Sequence, residues 1–260
     1  MSAIFIDGHL AHYEVIGRGK PVLFLHGWYG SWRYWVPTMQ VISTTNRAYA
    51  IDFWGFGESA KNNLYTLSDQ TKLLYSFVER IGLSQFSIVG HGFGSIIAFE
   101  FARLYPDLVE KMFNVGFPLS LDHLNFHFLN TDSNNLIDKL IKPKAEIDAI
   151  RNDGLKNDPN AIKTFLEDLQ IQSQWNTNDF QKICLLLYGL NDPLIKIPIY
   201  ENTHSLPSNF HSMLFEESGY FPMLDESSKF SRLLTEFLEL SEEDSLKNLQ
   251  IKEKWQRRVR

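Results

Sequence analysis

The sequence predicts an α/β protein built on a largely parallel sheet, and three observations carry that expectation. Short apolar runs alternate with amphipathic stretches along most of the chain. Several runs, such as Pro21-Val22-Leu23-Phe24-Leu25, are almost wholly apolar, as a strand covered on both faces requires. The 260 residues, 44% hydrophobic and 22% charged, can bury a large core without disulfides or metal. The same composition excludes classes of function. A formal charge of −6 offers no basic face for broad nucleic-acid binding. The single cysteine, Cys184, rules out an intramolecular disulfide framework and a cysteine-based zinc cluster. The histidines show no metal-ligand spacing, so neither metal nor cofactor is expected. The start, MSAIFIDGHLAHYEV, lacks a basic segment followed by an apolar core, and no apolar run approaches the roughly 18 residues of a membrane span. The expected setting is therefore cytoplasmic, with no integral membrane segment.

In chain order, strands are expected near Ile4–Ile6 and Ala11–Ile16, joined by Asp7-Gly8, a strong hairpin signal. The turn Gly17-Arg18-Gly19-Lys20 leads into Pro21–Leu25, and Ala48–Ile51 forms the fourth strand. The helix that follows opens with Thr66 and Asp69 at capping-box spacing and closes at Gly82. Phe86–Val89 is the next strand, and a helix from about Ser95 to Tyr105 is ended by Pro106. Further strands are expected at Lys111–Val115 and Ile183–Tyr188, with a weaker one at Ser212–Phe215, and a final amphipathic helix at Ser227–Leu238. Between about Phe117 and Gln181 the periodicity is helical, with polar clusters such as Asn130–Asn135 and no convincing strand. So long a stretch is expected to fold as a helical insertion over one end of the sheet.

Three motifs lie at the ends of successive expected parallel strands, where α/β proteins build their sites. They are Leu25-His26-Gly27-Trp28-Tyr29-Gly30-Ser31, Asp52-Phe53-Trp54-Gly55-Phe56-Gly57-Glu58-Ser59 and Val89-Gly90-His91-Gly92-Phe93-Gly94-Ser95. With the order of elements, they resemble the α/β-hydrolase superfamily over nearly the whole chain. The resemblance implies an α/β-hydrolase fold: a mostly parallel eight-stranded sheet flanked by helices, with residues 1–116 and 182–240 as core and 117–181 as a helical cap. It also implies a nucleophile elbow of the form Gly-x-Ser-x-Gly, followed in chain order by an acid and a histidine. Gly92 stands at the serine position. Asp192, in Gly189-Leu190-Asn191-Asp192-Pro193, matches the acid. Tyr220, in Gly219-Tyr220-Phe221-Pro222, holds the place of the histidine.

Serine attack needs a hydroxyl and a neighbouring imidazole that takes its proton near neutral pH. Glycine supplies no nucleophile, and a phenol with an ordinary pKa of about 10 is a poor base at pH 7. The triad is degenerate by this reading, and hydrolysis of the serine type is not expected. Ser95 is the nearest hydroxyl, but its position in the helix points it away from the elbow. Glycine also tolerates the sparsely populated backbone of the elbow, so Gly92 suits the fold while removing its chemistry. The turn Gly90-His91-Gly92-Phe93-Gly94-Ser95 resembles a dinucleotide-binding loop only in part. Its third glycine is replaced by Ser95, and no acidic residue follows the next strand.

What the motifs retain is binding machinery. The resemblance assigns the two oxyanion-hole donors to the backbone N–H groups of Trp28 and Phe93. Trp28, Tyr29, Phe93 and Tyr220 are the candidate ligand-binding residues, within a wider aromatic set that includes Trp32, Trp35, Phe53, Trp54, Phe56 and Phe221. That lining suits a small apolar or aromatic molecule with one polar group, and equally suits packing of cap on core. His26 and His91 are expected to order loops. Beyond Ser241, a basic amphipathic stripe with Ile251, Trp255 and Val259 in residues 246–260 either meets a protein partner or an anionic surface, or packs on its own domain. Three functions follow: a pseudoenzyme binding a small apolar ligand or a partner, an enzyme such as a lyase using a non-standard set, or an ordinary esterase-like hydrolase.

Overall fold

The structure is a computed structural model that describes residues 2–129, 147–172, 175–197 and 206–241, together with Leu140, Leu246 and Leu249. Eight strands form one sheet: β1 (Ser2–Ile6), β2 (His9–Gly17), β3 (Lys20–Leu25), β4 (Asn46–Ile51), β5 (Phe86–His91), β6 (Val109–Val115), β7 (Cys184–Gly189) and β8 (Phe210–Phe215). Their spatial order is β1-β2-β4-β3-β5-β6-β7-β8. The pairs β1–β2 and β2–β4 are antiparallel, and every other pair is parallel. All the parallel strands therefore end at one edge of the sheet, where the three sequence motifs are gathered.

Local chemistry accounts for several boundaries. Asp7 and Gly8 both adopt positive φ, 50° and 82°, and close the β1–β2 hairpin with Ile6 opposite His9. That conformation at two successive residues matches the right-handed twist of paired strands. Helix α1 (Val36–Ile42) follows a 3₁₀ turn at Trp32–Trp35 capped by the Ser31 hydroxyl. Helix α2 (Leu67–Ile81) shows both hydrogen bonds of the Thr66–Asp69 capping box and ends on left-handed Gly82. Helix α3 (Phe93–Leu104) begins two residues earlier than expected, because the glycine-rich turn already brings Phe93 into the first helical turn. Helix α1 was not foreseen at all; its β-branched Val36, Thr38, Val41 and Ile42 give a weak helical signal.

Between β6 and β7 the described regular elements are all helical; Leu124 also forms an isolated bridge with Ile195, beyond β7. They include α4 (Phe126–Leu129), α5 (Ile147–Leu155) and α6 (Pro159–Gln172). Residues Asn130–Asn135 lie outside the described residues. After β8 come the short α7 (Pro222–Asp225) and α8 (Ser227–Glu239), which packs against α1 while α2 packs against α3. Of the stripe expected at 246–260, Leu246 and Leu249 are buried with the core; Ile251, Trp255 and Val259 lie outside the described residues. No described helix is long and apolar enough to cross a membrane, and no metal-binding cluster occurs among the described residues.

Candidate functional site

The edge where β3, β5 and β8 end is built by three turns. Gly92 links β5 to α3 with φ +48° and ψ −111°, in a region that side chains rarely adopt. Its N–H donates to the Val115 carbonyl at 2.8 Å, and the Gly94 N–H donates to the His26 carbonyl at 3.0 Å. The elbow is thereby fixed to β6 on one side and to the end of β3 on the other. The Ser95 hydroxyl donates to the Gly92 carbonyl at 2.6 Å, so it points back into the helix, as its sequence position implies.

Against this turn lies Tyr220. Its hydroxyl oxygen accepts the Trp28 N–H at 2.7 Å. A methyl group placed on Gly92 would sit 2.7 Å from that oxygen and 3.2 Å from Cδ1 of Trp28. A methyl group on Gly27 would overlap the same hydroxyl and come within 2.7 Å of His91 Nδ1. Two glycines thus leave the slot that the phenol fills. Tyr220 is held at its other end too, since its carbonyl accepts from His91 Nε2 at 2.7 Å.

That last bond settles the state of His91. A carbonyl can only accept, so Nε2 carries the proton and Nδ1 is left as an acceptor. Tyr34 completes the set: its hydroxyl accepts the Gly27 N–H at 2.6 Å and donates to His91 Nδ1 at 2.9 Å. Burial holds His91 neutral, pushing its pKa down to about 3 against a smaller upward pull from the Tyr220 carbonyl. Burial also raises the phenols of Tyr220 and Tyr34 well above their ordinary value. His26 plays a comparable part, with Nδ1 donating to the Gly27 carbonyl at 2.9 Å and Nε2 accepting the Phe53 N–H at 3.1 Å. Both histidines order loops here, as the sequence suggests.

One of the two backbone donors that the resemblance assigns is engaged within the chain. The Trp28 N–H donates to the Tyr220 hydroxyl, and the Phe93 N–H has no acceptor among the described residues. Trp28 and Phe93 are wholly buried, Tyr220 is 1% exposed and Tyr29 2%. The Trp28 and Phe93 rings meet each other and the insertion. Phe165 of α6 stands edge-on to Trp28 and Phe93, at centroid distances of 5.6 and 4.5 Å, and the Tyr220 ring lies 4.3 Å from His91. The insertion is tied down by carboxylates. Asp153 of α5 accepts from the Ser31 hydroxyl at 2.7 Å and Arg33 Nε at 2.8 Å; Asp158 accepts from the Tyr65 hydroxyl at 2.7 Å, and Asp168 of α6 from the Leu67 N–H at 2.9 Å.

Asp192 is separate from these hydrogen bonds, though its charge adds to the upward shift of the Tyr220 phenol. It sits in the turn after β7, its Oδ1 accepting from the Leu194 and Ile195 N–H groups at 2.8 and 3.4 Å. No hydrogen bond joins it to Tyr220 among the described residues. Desolvation raises its carboxyl to about 7, outweighing the two N–H donors. Three contributors escaped the sequence reading: Tyr34, Phe165 and Asp153. These contacts span 57 to 137 residues, a range over which local pattern holds no signal.

Comparison with known proteins agrees with this fold. The model of the α/β hydrolase fold family matches residues 20–169, and the chain belongs to that family. It is 30% identical over 146 residues to a soluble epoxide hydrolase from a Corynebacterium species, covering 49% of this chain and 50% of that protein. It is 33% identical over 100 residues to BODYGUARD 3 of Arabidopsis thaliana, described as a probable lysophospholipase, covering 36% and 20%. The matches span half or less of these relatives' own length. The solved structure of a Bacillus megaterium epoxide hydrolase mutant superposes with a TM-score of 0.75 at 17% identity, covering 91% of this chain and 99% of that one. At that identity the likeness speaks for the fold alone.

Proposed function

We propose that this chain is a non-hydrolytic member of the α/β-hydrolase family, with Gly92, Asp192 and Tyr220 at the positions of nucleophile, acid and histidine, and that it acts by binding a partner or a small apolar ligand. One observation carries the reading: the Tyr220 hydroxyl accepts the Trp28 N–H that an oxyanion-hole site would direct at substrate. Gly92 offers no attacking atom, Ser95 is turned inward, and the raised phenol of Tyr220 is further from a general base than a free tyrosine. Helices α5 and α6, with Phe165 on the elbow, act as the cap in this reading. Restoring Gly92→Ser together with Tyr220→His tests it. The double variant should gain hydrolysis of simple aryl esters that the natural chain lacks. Turnover by the natural chain would overturn the proposal, and a folded double variant without activity would remove these two positions from the site.

A second reading keeps an enzyme, hydrolytic or lyase-like, with a non-standard set. The Asp192 carboxyl near 7 favours it, because such a group exchanges its proton at neutral pH. The matched relatives, named for epoxide and phospholipid hydrolysis, lend it a substrate class. It requires that Asp192→Asn abolish a turnover of epoxides or esters by the natural chain.

A further inference from the structure

We propose that the elbow is a phenol-binding slot occupied by the chain's own side chain: Tyr220 is a tethered ligand, and a free phenol of tyrosine side-chain size is the small molecule this site would take in its place. The inference rests on the assignment of Gly92 and Tyr220 above, and goes on to name what the site accepts.

The slot has the three parts that a phenol needs. A hydrogen-bond donor, the Trp28 N–H, lies 2.7 Å from the hydroxyl oxygen. Ring contacts come from His91, whose centroid is 4.3 Å away, and from Phe221, edge-on at 4.7 Å. Room for the oxygen comes from Gly27 and Gly92, since a methyl group on either would run into it. Gly27 is informative because its φ is not positive, so its backbone does not call for glycine. The close approach of Tyr220 and His91 does. Removing the side chain beyond Cβ therefore leaves a cavity with one directed donor and aromatic walls. Such a cavity selects a hydroxyarene over a plain arene of equal size, whereas a wholly apolar cavity prefers the less hydrated plain arene.

The experiment uses the full chain carrying Tyr220→Ala, with 4-methylphenol and toluene as matched probes. Calorimetry or ligand-induced thermal shift should show 4-methylphenol binding about three- to tenfold more tightly than toluene, the range a single neutral hydrogen bond provides. The natural chain should bind neither. Equal binding, a preference for toluene, or no binding to a folded variant overturns the proposal. Should Tyr220→Ala fail to fold unaided, the two probes are compared by refolding yield, where 4-methylphenol must raise recovery above toluene. Its failure is separable from failure of the functional reading. Turnover by the natural chain would sink the latter whatever the variant binds, and a variant blind to phenols would leave an inactive natural chain inactive.

Discussion

Replacing Gly92 by alanine adds one methyl group at a tight point of the site. Two costs arise. The backbone at φ +48° is sparsely populated for any side chain, at about 1–3 kcal/mol. The new Cβ also stands 2.7 Å from the Tyr220 hydroxyl and 3.3 Å from Cε2 of its ring, an overpacking typically costing about 1–3 kcal/mol. Only the second depends on Tyr220. In a Tyr220→Ala background that contact is gone, and Gly92→Ala should retain only the backbone cost and the 3.2 Å contact with Trp28 Cδ1. Tyr220→Ala alone, emptying a buried ring, should destabilise by about 3–5 kcal/mol. The double variant should then be more stable than the sum of the single changes by about 1–3 kcal/mol. Urea denaturation of the four chains, followed by far- and near-ultraviolet circular dichroism, measures the cycle. Distant, independent sites add to within about 0.5 kcal/mol. A coupling inside that margin would show that Tyr220 does not fill the space beside Gly92, and the description of the slot would fail.

Other consequences are simpler. Tyr220→Phe keeps the ring but leaves the buried Trp28 N–H without an acceptor, so it should destabilise by about 1–3 kcal/mol in the same denaturation assay. Asp192 and His91 should pull the pH profile in opposite directions. A carboxyl raised to about 7 is protonated in the native state and ionised in the unfolded one, so its contribution declines as pH rises from about 4 to 7. Asp192→Asn should accordingly melt higher than the natural chain at pH 8 and lose that advantage near pH 4. His91, neutral in the fold down to about 3, takes a proton on unfolding below about 6.5, so stability should fall as acid is added through that window. Asp153→Asn weakens the charged tie to Arg33, and hydrogen exchange over α5 should speed up relative to α2.

The chain's own pattern made some of this legible, and physical range explains which parts. Asp7-Gly8, the Thr66–Asp69 box and Gly82 are local: each makes its decisive bonds within a few residues, so the residue types alone point to the turn, the cap and the helix end. The apolar runs of β3, β5, β6 and β7 show for the same reason, since burial on both faces leaves no polar alternation. The glycine and tyrosine that define the site could be placed because each sits in a short motif at a strand end. Their relation could not. That the Tyr220 hydroxyl reaches the Trp28 N–H spans 192 residues and depends on how β8 lies relative to β3. Tyr34 was invisible for a similar reason: its bond to His91 exists only because the 3₁₀ turn after β3 meets the end of β5. Asp192 shows the reverse case, a residue matching its motif whose carboxyl is bound by its own turn and not by Tyr220.

The idea on which the rest stands is that no activated nucleophile exists beside Tyr220. Incubating the folded 260-residue chain with a serine-directed fluorophosphonate, then weighing the intact protein and mapping its peptides, asks this directly. The unmodified mass should persist, with no adduct on the peptide containing Gly92 and Ser95. A stoichiometric adduct on that peptide, or on any other residue that reaches the elbow, would mean that a working catalyst has been described as an inert one.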